Sequence, residues 1–268
     1  MARYKKKRAR ELQHDKFRDT TMGMFDRLGN VLEGKGKLIL YVIGGALVVA
    51  VLAGAWVTWS RRKTDEARRA MGRAIAIAST PVSANPPPGS STSNFATEQE
   101  RARKAIEEFE KVAAKYGDPY RSEARYFVAT NQLYVEREKG ISELTQLGSS
   151  SLPDVAVLAK FALGQAKEAD AKYDEAAQLY NQIASLNSVI VTSDVARVRL
   201  GMVYQKQGKT KEAADTFFQI ADAARKAKGK DGLPVPLSEA AREASQQLQK
   251  IDPERFSQLP SEAPALNL

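Results

Sequence analysis

Cysteine is absent from the 268-residue chain, and histidine occurs once, at His14. Without cysteine the chain has no disulfide framework, no thiolate zinc site and no cysteine nucleophile. A single histidine also excludes a histidine-cluster metal site and the usual serine–histidine–acid relay. Because these absences remove most of the side-chain sets used in catalysis, we expect a protein that is not an enzyme, with no catalytic residues, no cofactor and no metal.

Aromatic residues are also few, at 7%, although 43% of the chain is hydrophobic. Alanine is heavily represented in that hydrophobic fraction, and runs of β-branched residues are scarce outside one segment. Alanine favours helices, whereas β-branched and aromatic residues favour strands. The composition therefore predicts an all-α fold.

The net charge of +9 is concentrated in two short regions. Residues 1–37 carry 11 Lys and Arg against 5 Asp and Glu, and residues 60–80 carry 6 against 2. Residues 81–268 are nearly neutral, with 24 against 25. A nucleic-acid-binding domain is expected to keep a basic face of its own, so we expect no nucleic-acid partner. The basic cluster Lys5–Arg10 is better explained by anionic membrane lipid.

An uncharged stretch of 22 residues, Leu38–Trp59, lies between the two basic regions. A helix of that length covers about 33 Å, close to the thickness of about 30 Å of a bilayer's hydrocarbon core. Tyr41 near one end and Trp56 and Trp59 near the other suit the two headgroup regions. The stretch therefore predicts a single transmembrane helix.

A cleaved signal peptide is the alternative, because Ala53-Gly54-Ala55 matches a cleavage pattern. The 37-residue leader is too long for that interpretation, and Arg61-Arg62-Lys63 would hinder export just after the cut. Close to the span the C-terminal side carries more basic residues, 6 in residues 60–79 against Arg18, Arg27, Lys35 and Lys37, whereas the whole leader carries 11. Because the rule counts short loops and long domains cross largely regardless of charge, the whole-leader count predicts a cytoplasmic N-terminus and, in a bacterial cell, a periplasmic C-terminal domain on the inner membrane.

Small residues recur at four-residue spacing within the span, at Ala46, Ala50 and Gly54. Small residues at that spacing allow a second helix to approach closely, so they are a candidate contact with a partner membrane helix. The alternative, which the sequence leaves open, is that small residues are simply common in membrane helices.

Helix-breaking clusters of proline, glycine and serine divide the rest of the chain into predicted helical segments of 15–20 residues. Three consecutive prolines and five serines within residues 79–93 indicate a flexible connection. The predicted organisation is a basic leader at 1–37, a transmembrane helix at 38–59, a stalk helix at 60–79, a Pro/Ser-rich linker at 80–96, a repeat domain at 97–251 and a C-terminal tail at 252–268.

Two windows within the repeat domain share a spacing. From Gly164 and from Gly201, an alanine follows at +12, an aromatic residue at +16 and an isoleucine at +19. The two glycines are 37 residues apart, slightly more than one tetratricopeptide unit. The pattern, with Leu163 and Leu200 before the glycines, resembles the tetratricopeptide repeat. It predicts an α-solenoid of helical hairpins, in which the aromatic ring fills space toward the next hairpin.

Other segments look like more degenerate units of the same kind. Ala105, Phe109 and Val112 suit the second helix of a first unit whose opening helix is the stalk. The segments Ala124–Glu138 and Ile141–Leu147 suit a shortened second unit.

A final helix is predicted at Ser238–Ile251, with Ser238 as its N-cap. It should cover the open end of the stack, because a terminal repeat has to hide its apolar face.

The order of these parts, from about residue 35 to residue 250, resembles one bacterial family as a whole. That family is the ancillary SecYEG translocon subunit family (YfgM-like). The resemblance implies an inner-membrane protein with a periplasmic repeat domain, found near the protein-export translocon and periplasmic chaperones. It implies that the protein helps to handle exported polypeptides. A structural adaptor in envelope assembly or division, holding one folded partner, is the alternative function.

In this repeat class the first helices of the hairpins line the concave side, which is where a partner is expected to bind. The residues of the two best units at those positions mix apolar groups with amides and suit varied extended segments. They are Leu158, Phe161, Gln165, Glu168, Val195, Val198, Met202 and Gln205. The alternative is that several of them only pack one hairpin on the next.

Overall fold

The computed structural model describes residues 16–83, 95–186, 188–230 and 232–262, with side chains from residue 41 onward. Within those ranges the chain is all-helical and has no β-strand, which confirms the predicted class. Ten α-helices are present in the described residues: α1 Lys16–Ala78, α2 Glu98–Lys115, α3 Tyr120–Val135, α4 Arg137–Leu147, α5 Pro153–Ala169, α6 Tyr173–Ala184, α7 Ser193–Lys206, α8 Thr210–Lys226, α9 Glu239–Ile251 and α10 Pro253–Ser257.

Two compact units divide the chain, Met1–Asp65 and Glu66–Leu268. In the first unit, α1 carries the uncharged stretch, and the large apolar side chains described there are exposed. Within the described part of the chain, this is the one helix long and apolar enough to cross a membrane. The cluster Lys5–Arg10 lies outside the described residues.

The second unit is a succession of helices in which each helix from α2 to α9 packs against the next. Most of their connections are short, so neighbouring helices run antiparallel. We number four hairpins: residues 66–78 of α1 with α2, α3 with α4, α5 with α6, and α7 with α8.

Buried apolar clusters hold the hairpins together, and each cluster draws on successive helices. In the first, Met71 of α1 packs with Phe109 of α2 and Val128 of α3. In the third, Tyr180 of α6 packs with Leu200 of α7. The second hairpin and the fourth hairpin follow the same plan. Each hairpin is therefore completed by the first helix of the next.

Side-chain caps fix where several helices begin. Thr97, Thr192 and Ser238 each accept a hydrogen bond from the backbone N–H three residues further on, at 3.1, 3.4 and 3.2 Å. Such a bond satisfies one of the N–H groups that have no partner within the helix. The prediction that Ser238 is the N-cap of the last long helix is confirmed.

The repeat glycines make room for the aromatic rings of their own hairpins. A Cβ at Gly164 would lie 2.9 Å from the ring of Tyr180, and one at Gly201 would lie 2.6 Å from the ring of Phe217. Both distances are shorter than van der Waals contact allows. Since Tyr180 also packs against α7, the expected contact with the next hairpin is present, but the glycine is explained by the ring in front of it.

The helix boundaries of the second hairpin differ from the prediction. Its helices are α3 and α4, separated only by Glu136, whereas the sequence suggested Ala124–Glu138 and Ile141–Leu147. Gly140 is the reason, because it lies inside α4 and does not break it. A Cβ there would lie 2.7 Å from the backbone oxygen of Ala129, so glycine lets the two helices approach backbone to backbone.

The predicted linker lies inside the first hairpin. Val82 bridges to Phe95, and the N–H of Ser83 donates to the Phe95 oxygen at 3.0 Å, so the two ends of the segment meet. Residues 84–94 lie outside the described residues. The compact unit that contains the hairpins begins at Glu66, so residues 66–78 of the predicted stalk belong to it.

The predicted C-terminal tail at 252–268 is packed over much of its length. It forms the short helix α10, and Leu259 is buried in the cluster of α8 and α9. Arg255 pairs with Asp215 of α8, and its guanidinium lies 4.9 Å from the ring of Phe218. The helix α9 therefore does not cover the end of the stack alone. Residues 263–268 lie outside the described residues.

Candidate partner-binding face of the helical hairpins

The eight predicted groove residues lie on α5 and α7, the first helices of the third and fourth hairpins. They fall into three classes of exposure: Gln165 and Val195 are exposed, Leu158, Phe161, Met202 and Gln205 are half-buried, and Glu168 and Val198 are buried. The prediction that all eight line an open surface therefore does not hold for the last two.

Val198 is buried because α7 uses this position to close the fourth hairpin. It belongs to the apolar cluster that contains Phe217 of α8 and Leu248 of α9. Burial of this side chain stabilises the stack, and the residue is not available to a partner.

Glu168 is the centre of a buried polar cluster. One carboxylate oxygen, Oε2, accepts hydrogen bonds from the Tyr180 hydroxyl at 3.1 Å and from Arg199 Nη2 at 2.6 Å. The other, Oε1, accepts from Lys206 Nζ at 2.7 Å. These donors come from α6 and α7, so the cluster joins the third hairpin to the first helix of the fourth.

The cluster keeps Glu168 ionised. Burial alone raises the pKa of the Glu168 carboxyl, but the hydrogen bond from Lys206 and the charge of Arg199 outweigh it and hold that pKa below its ordinary value. Burial raises the pKa of the Tyr180 hydroxyl, so Tyr180 remains a hydrogen-bond donor. A paired, hydrogen-bonded carboxylate of this kind is a structural junction between hairpins.

The half-buried apolar groove residues pack against the apolar clusters with one side of their side chains. Leu158 and Phe161 pack against the cluster around Tyr180, and the Phe161 and Tyr180 rings meet edge to face at 5.7 Å. Met202 packs against the next cluster. Packing therefore accounts for one side of these residues, and partner binding at the other side stays a prediction.

The accessible part of the face is a row of amides among apolar side chains. Gln165 on α5 and Gln205 on α7 stand one and four residues after their repeat glycines, at positions of the first helix that are not buried. Half-buried Phe161 and Met202 supply apolar surface beside them. Amides bind peptide backbone groups, and methionine adapts its shape to different apolar partners.

Sequence reasoning missed the partners of Glu168. The eight groove positions include no Lys or Arg, yet Arg199 and Lys206 lie beside Glu168. They are 31 and 38 residues away in sequence. The only signal was the 37-residue repeat, which brings α7 alongside α5 once the hairpins are stacked.

Exposed apolar residues in the connection between α6 and α7 were also missed. Leu186, Val189 and Ile190 are exposed, whereas the adjacent Val191 is buried. A run of β-branched residues directly before a helix, at 189–192, was the available signal.

The small residues of the predicted membrane helix are exposed on α1. Ala46, Ala50 and Gly54 have no partner helix among the described residues, and nothing lies within 4 Å of a Cβ built at Gly54. Their contact with a second membrane helix stays a prediction.

Adjacent carboxylates in the described residues, such as Glu107 and Glu108, lie beside lysine side chains. Glu107 accepts hydrogen bonds from Lys104 at 2.7 Å and Lys111 at 2.8 Å, which lower its pKa to about 2. Among the described residues no group of three His, Cys, Asp or Glu side chains could hold a metal ion.

Comparison of the chain with protein-family models, curated proteins and solved structures gave no match.

Proposed function

We propose that this chain is a single-pass membrane protein whose hairpins form a tetratricopeptide-like solenoid that binds protein partners. The solenoid is supported by the shared register of the third and fourth hairpins and by apolar clusters that each join successive helices. The membrane anchor is supported by the exposure of the apolar residues on α1.

One observation carries the binding role. The first helices of two successive hairpins present amides and half-buried apolar groups, at different positions of the repeat, that the packing of the stack leaves accessible. A row of this kind suits an extended polypeptide, because amides pair with its backbone and adaptable side chains accept varied residues.

The proposed setting is the inner membrane, with the leader in the cytoplasm and the repeats in the periplasm. Its support is the greater number of basic residues in the leader. The proposed partners are the SecYEG-type translocon, periplasmic chaperones and exported polypeptides. Their support is the resemblance in layout to the ancillary SecYEG translocon subunit family.

Photocrosslinking in cells tests the binding role. A photoreactive residue replaces Gln165 or Met202 in the full-length chain. The matched control carries it at Asp174, an exposed position on α6, the second helix of the third hairpin. We expect crosslinks from Gln165 and Met202, but not from Asp174, to many newly exported chains and to the translocon.

Two results contradict the proposal in different ways. Crosslinks to one folded envelope protein would favour the structural adaptor. Equal or absent crosslinking at all three positions would show that the row on α5 and α7 is not a binding face.

A further inference from the structure

Five large apolar side chains are exposed in two connections of the second unit. Leu186, Val189 and Ile190 lie between α6 and α7, and Leu233 and Val235 lie between α8 and α9. We name this set the apolar rim. Val189 is the most exposed, at 89%. Residues of this kind seldom group on a surface without a binding role.

Local hydrogen bonds hold both connections in place. In the first, Ser188 Oγ accepts from the N–H groups of Ile190 at 3.2 Å and Val191 at 3.4 Å. In the second, the N–H of Val235 donates to the Ala227 oxygen at 3.2 Å. The rim residues are therefore exposed on anchored loops.

The two connections lie at the same edge of the stack. Each follows the second helix of an antiparallel hairpin and precedes a first helix, α7 or α9, and these two first helices pack against each other. First helices run parallel to one another, so all of their N-terminal ends share one edge.

The chain enters the second unit at that same edge. Residue 66 opens the first helix of the first hairpin, and Glu66 lies 3.6 Å from Lys115 at the end of α2. Arg68 Nε donates to the Tyr120 hydroxyl, at the start of α3, at 3.2 Å. The apolar rim thus shares its edge with the point at which the chain arrives from the uncharged part of α1.

We propose that the apolar rim is a lipid-contacting surface that inserts shallowly into the bilayer in which α1 is anchored. The proposal goes beyond the partner-binding role and rests on the membrane anchoring proposed above. Because α1 tethers the chain to the bilayer, the lipid surface is present at high effective concentration, whereas a soluble partner has to diffuse to the protein.

Charge also favours lipid over an apolar protein groove. Lys228 and Lys230 are exposed in the same connection as Val235, and the sequence of that connection also contains Asp231 and so has a net charge of +1. Apolar side chains flanked by lysines are the composition that binds at the headgroup boundary, where the lysines meet anionic lipid.

Depth-dependent fluorescence quenching tests the proposal on the full-length chain. Because the chain has no cysteine, single substitutions Val189→Cys, Val235→Cys, Tyr134→Cys and Val48→Cys each give one labelling site. Tyr134 is the matched control, since it is exposed and lies at the C-terminal end of α3, at the opposite edge. Val48 reports on the span. Each labelled protein is reconstituted into vesicles of phosphatidylcholine and phosphatidylglycerol.

We expect lipids brominated near the headgroup to quench an environment-sensitive label at Val189 and Val235 and to shift its emission to the blue. The label at Tyr134 should be unaffected, and the label at Val48 should be quenched by deeply brominated lipids. Quenching at Val48 with no difference between the rim and Tyr134 would overturn the rim proposal alone. A label at Val48 that no lipid quenches would overturn the anchoring and the rim together.

A control for a protein partner uses an unfolded polypeptide added to the same vesicles. If the rim labels respond to that polypeptide and not to brominated lipid, the rim is a protein-binding surface and the lipid proposal is wrong.

Discussion

The third and fourth hairpins are packed in the same way, but different groups join each of them to the next helix. In both, a glycine on the first helix faces an aromatic ring on the second. In the third hairpin the ring is Tyr180, and the residue four positions after the glycine is Glu168. In the fourth hairpin the corresponding residues are Phe217 and Gln205.

That difference changes how each hairpin joins the next helix. The third hairpin is closed by a buried carboxylate bonded to a hydroxyl and two cations. The fourth is closed by the apolar cluster of α8 and α9, with Leu259 from the chain's end. The comparison teaches that glycine and ring set the geometry of a hairpin, while the polar group at the junction varies without changing that geometry.

The largest expected effect comes from removing the buried aromatic ring that each of the two hairpins has opposite its glycine. Phe217→Ala and Tyr180→Ala should each lower the free energy of unfolding by about 3–5 kcal/mol, because each leaves a large cavity in a fully buried cluster. Urea titration in detergent, followed by circular dichroism, measures the change. Phe218→Ala, at a half-buried neighbour, is the matched control and should cost clearly less. Equal losses of unfolding free energy for Phe217→Ala and Phe218→Ala would contradict the claim that the ring opposite the glycine sets the geometry of the hairpin.

The second effect separates the two hairpins. Glu168→Ala should lower the free energy of unfolding by about 2 kcal/mol, because it removes the acceptor of charge-assisted hydrogen bonds and leaves the Tyr180 hydroxyl without its partner. Gln205→Ala, at the equivalent half-buried position, should cost only a few tenths of a kcal/mol. The same urea titration compares them. A larger loss of unfolding free energy for Gln205→Ala than for Glu168→Ala would show that the polar junction lies in the fourth hairpin and not in the third.

The third effect tests the close approach of ring and glycine. Gly201→Ala should lower the free energy of unfolding by about 1–2 kcal/mol, because the clash with Phe217 exceeds the helix-forming advantage of alanine. The control is Gly72→Ala on α1, where nothing lies within 4 Å of the added Cβ. There alanine should stabilise the protein by about 0.5–1 kcal/mol. Thermal unfolding of both variants gives the sign, and stabilisation by Gly201→Ala would contradict the predicted clash.

The smallest effect is a pH dependence confined to the third hairpin. The pKa of Glu168 in the folded protein lies below its ordinary value of 4.5. Its contribution to stability is therefore complete above pH 4.5 and is lost as the pH falls through the folded-state pKa. The difference in unfolding free energy between the wild type and Glu168→Gln should shrink on acidification below that value.

Gln205→Ala supplies the control for this pH profile, because it changes no titratable group. Its difference from the wild type should not vary with pH. A constant difference for Glu168→Gln as well would show that the carboxylate is not stabilised by its neighbours.

Local spacing was sufficient to predict the helical hairpins. The distances from Gly164 to Tyr180 and from Gly201 to Phe217 are set by one hairpin, so a periodic sequence reveals them. The capping role of Ser238 is local in the same way. Contacts within one hairpin are therefore the part of the fold that the sequence predicts best.

Polar contacts between hairpins, and one close helix approach within a hairpin, were not predicted. The burial of Glu168 depends on Arg199 and Lys206, which belong to a later helix. Gly140 falls in the gap between the segments predicted at Ala124–Glu138 and Ile141–Leu147, although it lies inside α4; glycine in sequence marks a break and a close approach equally well. The packing of Leu259 depends on an apolar surface that only the stacked α8 and α9 create.

The central claim, that one exposed apolar helix anchors a stack of helical hairpins to a membrane, is tested most directly by fractionation of the full-length chain. We predict that the chain stays with the membranes through alkaline carbonate extraction and is released only by detergent. Recovery of folded, full-length chain in the soluble fraction without detergent would contradict the claim.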